Sequence, residues 1–225
     1  MKYICCILIG YLIGAFNPSY LIAKIRGFDI RTKGSGNAGA SNALILFGKA
    51  FGILCAVLDI AKAYFAIYLA QCLFPQVQYA FAISGVACIA GHIFPWYMGF
   101  KGGKGLACLG GMILYFDRTV FLIMLIGAVL IALITDYICV VPVVASISFP
   151  IVYCVMKNDI PGAGILTIVT AIILFKHLEN FKRIRLGTEI HLSYLWKPEE
   201  EIDRMKDILD ETDAEIETHF SCRKN

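Results

Sequence analysis

The feature that most constrains this chain is a series of apolar runs, most of them as long as a membrane is thick. Seven candidate spans lie at about residues 3–23, 51–73, 78–98, 105–116, 119–135, 138–156 and 162–178. A helix rises ~1.5 Å per residue, so a ~30 Å hydrocarbon slab takes roughly 17–25 of them. Every run but the fourth meets that length. The fourth, residues 105–116, rises only ~18 Å as a helix and must be short, tilted, or continued by loop residues buried in protein. A water-soluble alternative fails on charge. Hydrophobic residues make up 59% of the 225 and charged residues 16%, too few to coat a water-facing body of this size. The fold class expected is all-α: a polytopic membrane protein, a seven-transmembrane-helix bundle with glycine-rich loops. Residues 1–196 would form the membrane-embedded domain and 197–225 an acidic amphipathic tail.

The connecting segments set the orientation. Lys24, Arg26, Arg31, Lys33 and Lys49 follow the first span, Lys101 and Lys104 precede the fourth, and Lys176, Lys182, Arg183 and Arg185 end the seventh. The opposite side offers Lys2, Arg118 and Lys157. Positive charge stays inside, so the N-terminus is expected outside, with the long loops and the tail in the cytoplasm. The first run has no small-residue cleavage site followed by a polar chain, and reads as a retained helix. Seven cysteines (Cys5, Cys6, Cys55, Cys72, Cys88, Cys139, Cys154) lie in or beside apolar runs without metal-ligand spacing, so they read as packing residues. A net charge of +3 with no aromatic-basic groove gives no reason to expect nucleic acid.

Three polar segments fall on the same expected cytoplasmic face. The first runs from Gly34 through Ser35, Gly36, Asn37, Ala38, Gly39, Ala40 and Ser41 to Asn42. Glycines at alternating positions let a backbone curl so that successive N–H groups face an anion. The second holds His92 in Gly91-His92-Ile93-Phe94-Pro95, then Lys101-Gly102-Gly103-Lys104-Gly105 at the mouth of the fourth span. Two lysines, bare backbone and a helix N-terminus together suit phosphate, although no Ser or Thr follows Lys104 as the nucleotide-binding P-loop requires. The third is His177-Leu178-Glu179-Asn180, continuing to Gly187-Thr188-Glu189. His177 and Asn180, three apart, share a helix face, and a histidine there can hydrogen-bond an alcohol or phosphate and move a proton near neutrality. Inside the second span Asp59 and Lys62 stand at pairing distance, since each charge alone would cost ~2.5–3.5 kcal/mol in the bilayer. No nucleophile elbow, zinc-ligand pair or H-x-x-x-x-D pairing is present: Tyr97 lies five after His92, and Lys182 five after His177.

In order and in place, these three motifs resemble those of the acyl-phosphate-dependent glycerol-3-phosphate acyltransferases, the PlsY family: G-S-G-N-x-G-A-[ST]-N, G-H-x-F-P with F-K-G-G-K-G, and H-x-x-N-x-x-R with a following G-T-E. The resemblance implies transfer of a fatty acyl group from acyl phosphate to the 1-hydroxyl of glycerol 3-phosphate, giving 1-acyl-glycerol 3-phosphate and phosphate, at the inner membrane of a bacterium. It implies no cofactor and no metal; acyl phosphate, glycerol 3-phosphate and membrane lipid are the partners. By the same carry-over Ser35, Lys104, His177 and Asn180 are catalytic. Gly36, Asn37, Gly39, Ser41, Asn42, Lys101, Gly102, Gly103 and Gly105 bind substrate, and Asp59, Lys62, His92 and Glu189 support the site.

Two positions depart from the family pattern. An Arg expected three residues after the last Asn of the first motif is Ile45 here. A family T-R-Y-x-S segment is Thr135-Asp136-Tyr137-Ile138-Cys139, which trades a positive charge for a negative one. An Asp near a phosphate site repels the ligand unless paired or turned away; Lys49 or Arg31 would have to compensate. Alternatives in view of these changes are a diverged acyl acceptor or a small-anion transporter, the latter disfavoured by loops gathered at one face. In the tail, Glu199, Glu200, Glu201, Asp203, Asp207, Asp210 and Glu211 alternate with Ile202, Met205, Ile208 and Leu209 after Pro198. That pattern reads as a short amphipathic helix decorating the water or membrane surface, without chemistry.

Overall fold

The computed structural model describes residues 1–206 and 208, and every element among them is helical. Within the tail, the expectations for Asp207, Leu209, Asp210 and Glu211 lie outside the described residues. The first span is two helices, α1 (Lys2–Ala15) and α2 (Pro18–Ile25). Asn17 makes the break. Its Oδ1 caps α2 by accepting from the Tyr20 amide at 2.9 Å, with Pro18 preorganised at the first position. In an unbroken helix that amide would have served the carbonyl of Phe16, which is met instead by the Lys62 ammonium at 2.5 Å.

After α3 (Ala40–Phe47) come α4 (Lys49–Leu73), α5 (Ala80–Ile93), the short α6 (Leu106–Phe116), α7 (Arg118–Thr135), α8 (Val140–Lys157) and α9 (Ile160–Arg185). Among the described residues, six helical stretches are long and apolar enough to cross a membrane. The fourth span of the sequence reading is the 11-residue α6. It is completed from the loop before it, where Gly102, Gly103 and Gly105 are buried in protein. Non-helical backbone is tolerated at such depth only when protein covers it.

Helices in a bilayer gain little from excluding water and pack through close approach. Gly14 on α1 shows how close. A Cβ there would lie 2.0 Å from the carbonyl oxygen of Cys88 on α5. Gly111 repeats the device between α6 and α4, with the Ile60 carbonyl 2.2 Å from where its Cβ would be. Pro150 inside α8 removes the N–H that would bond the carbonyl of Ser146, and the Thr170 hydroxyl on α9 donates to that oxygen at 2.5 Å. By contrast α7 buries almost nothing against the other helices, with Val120 its one buried residue, as a lipid-facing helix should.

The up-and-down order brings the start of α4, the end of α5, the start of α6 and the end of α9 to one face, with the N-terminus of α1 at the other. A last helix, 198–206, follows on that loop-bearing face. It is not the free decoration the sequence suggested: Glu201 is only 6% exposed and takes part in a network with the end of the third motif.

Candidate functional site

The first motif is built as a scaffold with one working edge. Gly34 and Gly36 hold φ of +60° and +70°, left-handed conformations that a side chain would strain. Asn42 is fully buried. Its Oδ1 accepts from the Ser35 amide at 2.8 Å, and its amide group donates to the carbonyls of Ile30 and Lys33. Asn17 donates to the Ala38 carbonyl at 2.8 Å, fixing the loop to the break in the first span. Arg31 bonds Asp29 at 2.6 Å and reaches the carbonyls of Met98 and Lys101, tying the first loop to the second. The Arg31 hydrogen bond holds the Asp29 carboxyl down to about 2. Gly34, Ser35, Asn37 and Ser41 then face a cavity.

In the second motif the glycines serve a purpose the sequence did not reveal. The amides of Gly102 and Gly103 donate to the carbonyls of Ile93 and His92 at the end of α5, at 3.0 and 3.1 Å. They are therefore not bare donors for an anion. A Cβ on Gly103 would sit 2.1 Å from Nε2 of His92, and one on Gly102 2.1 Å from the His92 carbonyl. Below them Lys62 pairs with Asp59 at 2.7 Å and lies 2.9 Å from Nδ1 of His92. Asp59, His92 and Cys108 present ligand atoms within 4.8 Å of one another. The Lys62 ammonium already fills the place of a cation there, which suits a strut better than a metal centre.

Lys104 emerges from this platform into the same cavity and donates to Oδ1 of Asn180 at 2.5 Å. The Asn180 amide donates to Oε1 of Glu189 at 2.5 Å, and Nε of Arg183 donates to Oε2 of Glu189 at 2.6 Å. Glu189 thus links two cation-bearing arms. Burial presses the Lys104 ammonium down to about 8, against the opposing pull of the Glu189 carboxylate. His177, 1% exposed, lies 2.7 Å through Nδ1 from the Ile173 carbonyl. A carbonyl only accepts, so Nδ1 carries the proton, and in the neutral form of the ring Nε2 is an acceptor.

The cavity these side chains surround has a volume of about 340 Å³. Ser35, Lys104, His177, Asn180 and Glu189 all line it, as do Gly34, Asn37 and Ser41. Gly36, Gly39, Asn42, Lys101, Gly102, Gly103 and Gly105, expected to bind substrate, are not among the lining residues; Asn42 holds the Ser35 loop and Gly102 and Gly103 seat the second loop on α5. Asp59, Lys62 and His92 stand deeper still.

Both departures from the motif pattern find a place. Ile45 is in the wall. Asp136 is turned away from the cavity: its carboxylate accepts from the amide and the hydroxyl of Ser193, both at 2.8 Å. Neither Lys49 nor Arg31 lines the cavity. The second cation is Arg183, whose position a helical step of three beyond Asn180 makes legible. His191, Tyr194, Leu195 and Met205 also face the cavity, and nothing in their spacing marks them.

Residues 4–187 match the model of the glycerol-3-phosphate acyltransferase family. A glycerol-3-phosphate acyltransferase of Clostridioides difficile (strain 630) is 34% identical over 193 residues, 84% of this chain and 94% of the relative. One from Aquifex aeolicus (strain VF5) is 31% identical over 189 residues, 84% and 98% of the two chains. Among solved structures, PlsY (YgiH), an integral membrane glycerol 3-phosphate acyltransferase, superposes with a TM-score of 0.79 in its glycerol 3-phosphate form, at 29% identity, over 87% of this chain and 98% of that one. Its lysophosphatidic acid form gives 0.76, at 29% identity, over 85% and 95%.

Proposed function

The chain belongs to the glycerol-3-phosphate acyltransferase family, membrane enzymes of phospholipid synthesis, and from that premise we propose that it passes a fatty acyl group from acyl phosphate to the 1-hydroxyl of glycerol 3-phosphate at the cavity between the three motifs. The observation that carries this reading is the convergence of Ser35, Lys104, His177 and Asn180, from three distant stretches of sequence, on one cavity.

An acyl phosphate carries its own leaving group, so the protein needs no nucleophile of its own; positioning and charge stabilisation suffice. The glycerol oxygen bonds to the acyl carbon while the bond from that carbon to the phosphate oxygen breaks. The hydroxyl proton leaves through Nε2 of His177 or directly onto the departing phosphate. Lys104 and Arg183 neutralise phosphate oxygens in a partly buried setting, where each charge counts for more than in water. Asn180 holds Lys104 in line, and Ser35 and Ser41 offer hydroxyls to the acceptor. Glu189 keeps the two cations apart and oriented. In the cell the cavity would face the cytoplasm of a bacterium, at the inner membrane, with the N-terminus of α1 outside; the excess of Lys and Arg around the motifs supports that orientation.

Donor identity is tested by offering the purified protein palmitoyl phosphate, palmitoyl-coenzyme A and palmitoyl-acyl carrier protein in turn, with labelled glycerol 3-phosphate. Labelled lysophosphatidic acid from palmitoyl phosphate alone is the outcome expected. Equal or faster product from either thioester would overturn the acyl phosphate assignment.

A further inference from the structure

The match to the family ends at residue 187, yet the cavity does not. His191, Tyr194, Leu195 and Met205 form part of its wall, and all of them lie beyond that point. The segment is held by a compact set of bonds. Glu201 accepts from the His191 amide at 2.9 Å and lies 3.0 Å from its Nδ1. Arg204 pairs with Glu201 at 2.5 Å and reaches across with its other donors, bonding the carbonyl of Gly187 and, at 3.0 Å, that of Glu189. On the other side Nε2 of His191 lies 3.0 Å from the Tyr137 hydroxyl, and the Asp136 carbonyl accepts from the Leu192 amide at 2.6 Å. The two carbonyls that Arg204 holds bracket Thr188, and one belongs to Glu189, whose carboxylate aligns Asn180 and Arg183.

Resting on the functional reading above, we propose that helix 198–206 is part of the catalytic apparatus, with Arg204 and Glu201 as positioning residues that fix Glu189 and through it the Lys104–Asn180–Arg183 array. Arg204 touches no reacting atom. It acts by clamping the backbone of Gly187 and Glu189 through a guanidinium fork that spans two carbonyls, which a lysine cannot reproduce. Glu201 holds that fork in aim and secures His191 beside it. The segment from His191 to Met205 also supplies Leu195 and Met205 as apolar wall, so it bounds the space open to the acyl donor. Asp136, whose charge would otherwise oppose phosphate, is instead the anchor of the same segment through Ser193.

The test is steady-state acyl transfer from palmitoyl phosphate by the full-length protein and three variants. Arg204→Ala is expected to lower kcat/KM for glycerol 3-phosphate by about tenfold or more, since a ~1 Å misplacement of catalytic groups costs up to ~10²-fold. It should also move the alkaline limb of the pH profile to lower pH, because a displaced Glu189 supports the Lys104 ammonium less. A purely structural tail would leave that limb where it is. The exchange of Glu201→Arg with Arg204→Glu keeps the pair within the helix but cannot donate to the two carbonyls, so it should fail equally. Should Arg204→Ala lower the thermal midpoint, Arg204→Lys carries the test, with a smaller loss and the same direction of pH shift. Wild-type kinetics and an unmoved limb in both Arg204 variants would overturn the inference while leaving the functional reading intact. A wild-type protein that forms no lysophosphatidic acid would overturn the functional reading, and this inference with it.

Discussion

At Lys104, burial and charge act against each other. Burial brings its pKa from 10.5 to about 8, while the fold surrounds it with acceptors in Asn180 and, behind it, Glu189. If the ammonium binds phosphate, kcat/KM for glycerol 3-phosphate is expected to fall as pH rises through about 8. It should also fall below ~6, where a phosphate monoester loses its second charge. Stability has the opposite sign at the alkaline end: a lysine whose pKa is depressed in the fold favours the native state more as pH rises from about 8 to 10.5. A rate profile with no alkaline limb below pH 10 would contradict the role. Lys104→Ala should cost ~10²–10³ in kcat, as loss of one preorganised charge-stabilising donor does elsewhere. At Ile45 the expectation runs the other way. Ile45→Arg adds a cation to the wall and should lower KM for glycerol 3-phosphate with little change in kcat; an unchanged or higher KM would show that Arg183 already meets the need. Lys104, His177 and Asn180 were legible in the sequence because charge and helical spacing mark them. The inward turn of the Ser35 loop and the outward turn of Asp136 depend on hydrogen bonds to residues 7 and 57 positions away, which no local pattern encodes.

Among the elements, the loop between α5 and α6 departs most from its sequence reading. Its glycines read as donors for an anion, whereas the structure uses them to lay a chain directly on the end of α5. Gly103→Ala drives a methyl into His92 and should therefore destabilise the protein, by ~1–3 kcal/mol as overpacking does. A thermal midpoint equal to wild type in detergent would refute that close-packing role. The same loop explains why α6 could be recognised as short but not why it suffices: the buried glycines that complete it look identical, in sequence, to a flexible linker. The interruption of the first span was hidden for the opposite reason. Asn17 and Pro18 sit in a run apolar enough to pass as one helix, and the break becomes necessary only when Lys62 arrives from α4 to meet the freed carbonyl.

For the whole molecule, length and hydropathy prescribe an all-helical membrane bundle, and the distribution of Lys and Arg gathers the three motifs on one side. Topology carries its own expected outcome. With the exposed native Cys72 first replaced by Ser, a cysteine placed by Asn158→Cys, between α8 and α9, should react with a membrane-impermeant maleimide in intact cells, and one placed by Lys33→Cys only after permeabilisation. The reverse pattern would invert the assigned orientation. The docked tail was the least legible part, because alternating acidic and apolar residues describe a surface helix equally well whether it floats or packs. Its contact with the cavity emerges only from the pairing of Glu201 with His191 and Arg204. The most direct test of the chemistry is stoichiometry. With palmitoyl phosphate and glycerol 3-phosphate as the only substrates, the purified protein should release inorganic phosphate and lysophosphatidic acid in equal amounts, and both should vanish in Lys104→Ala. Phosphate released without lysophosphatidic acid, or product that persists undiminished in the variant, would contradict acyl transfer at this cavity.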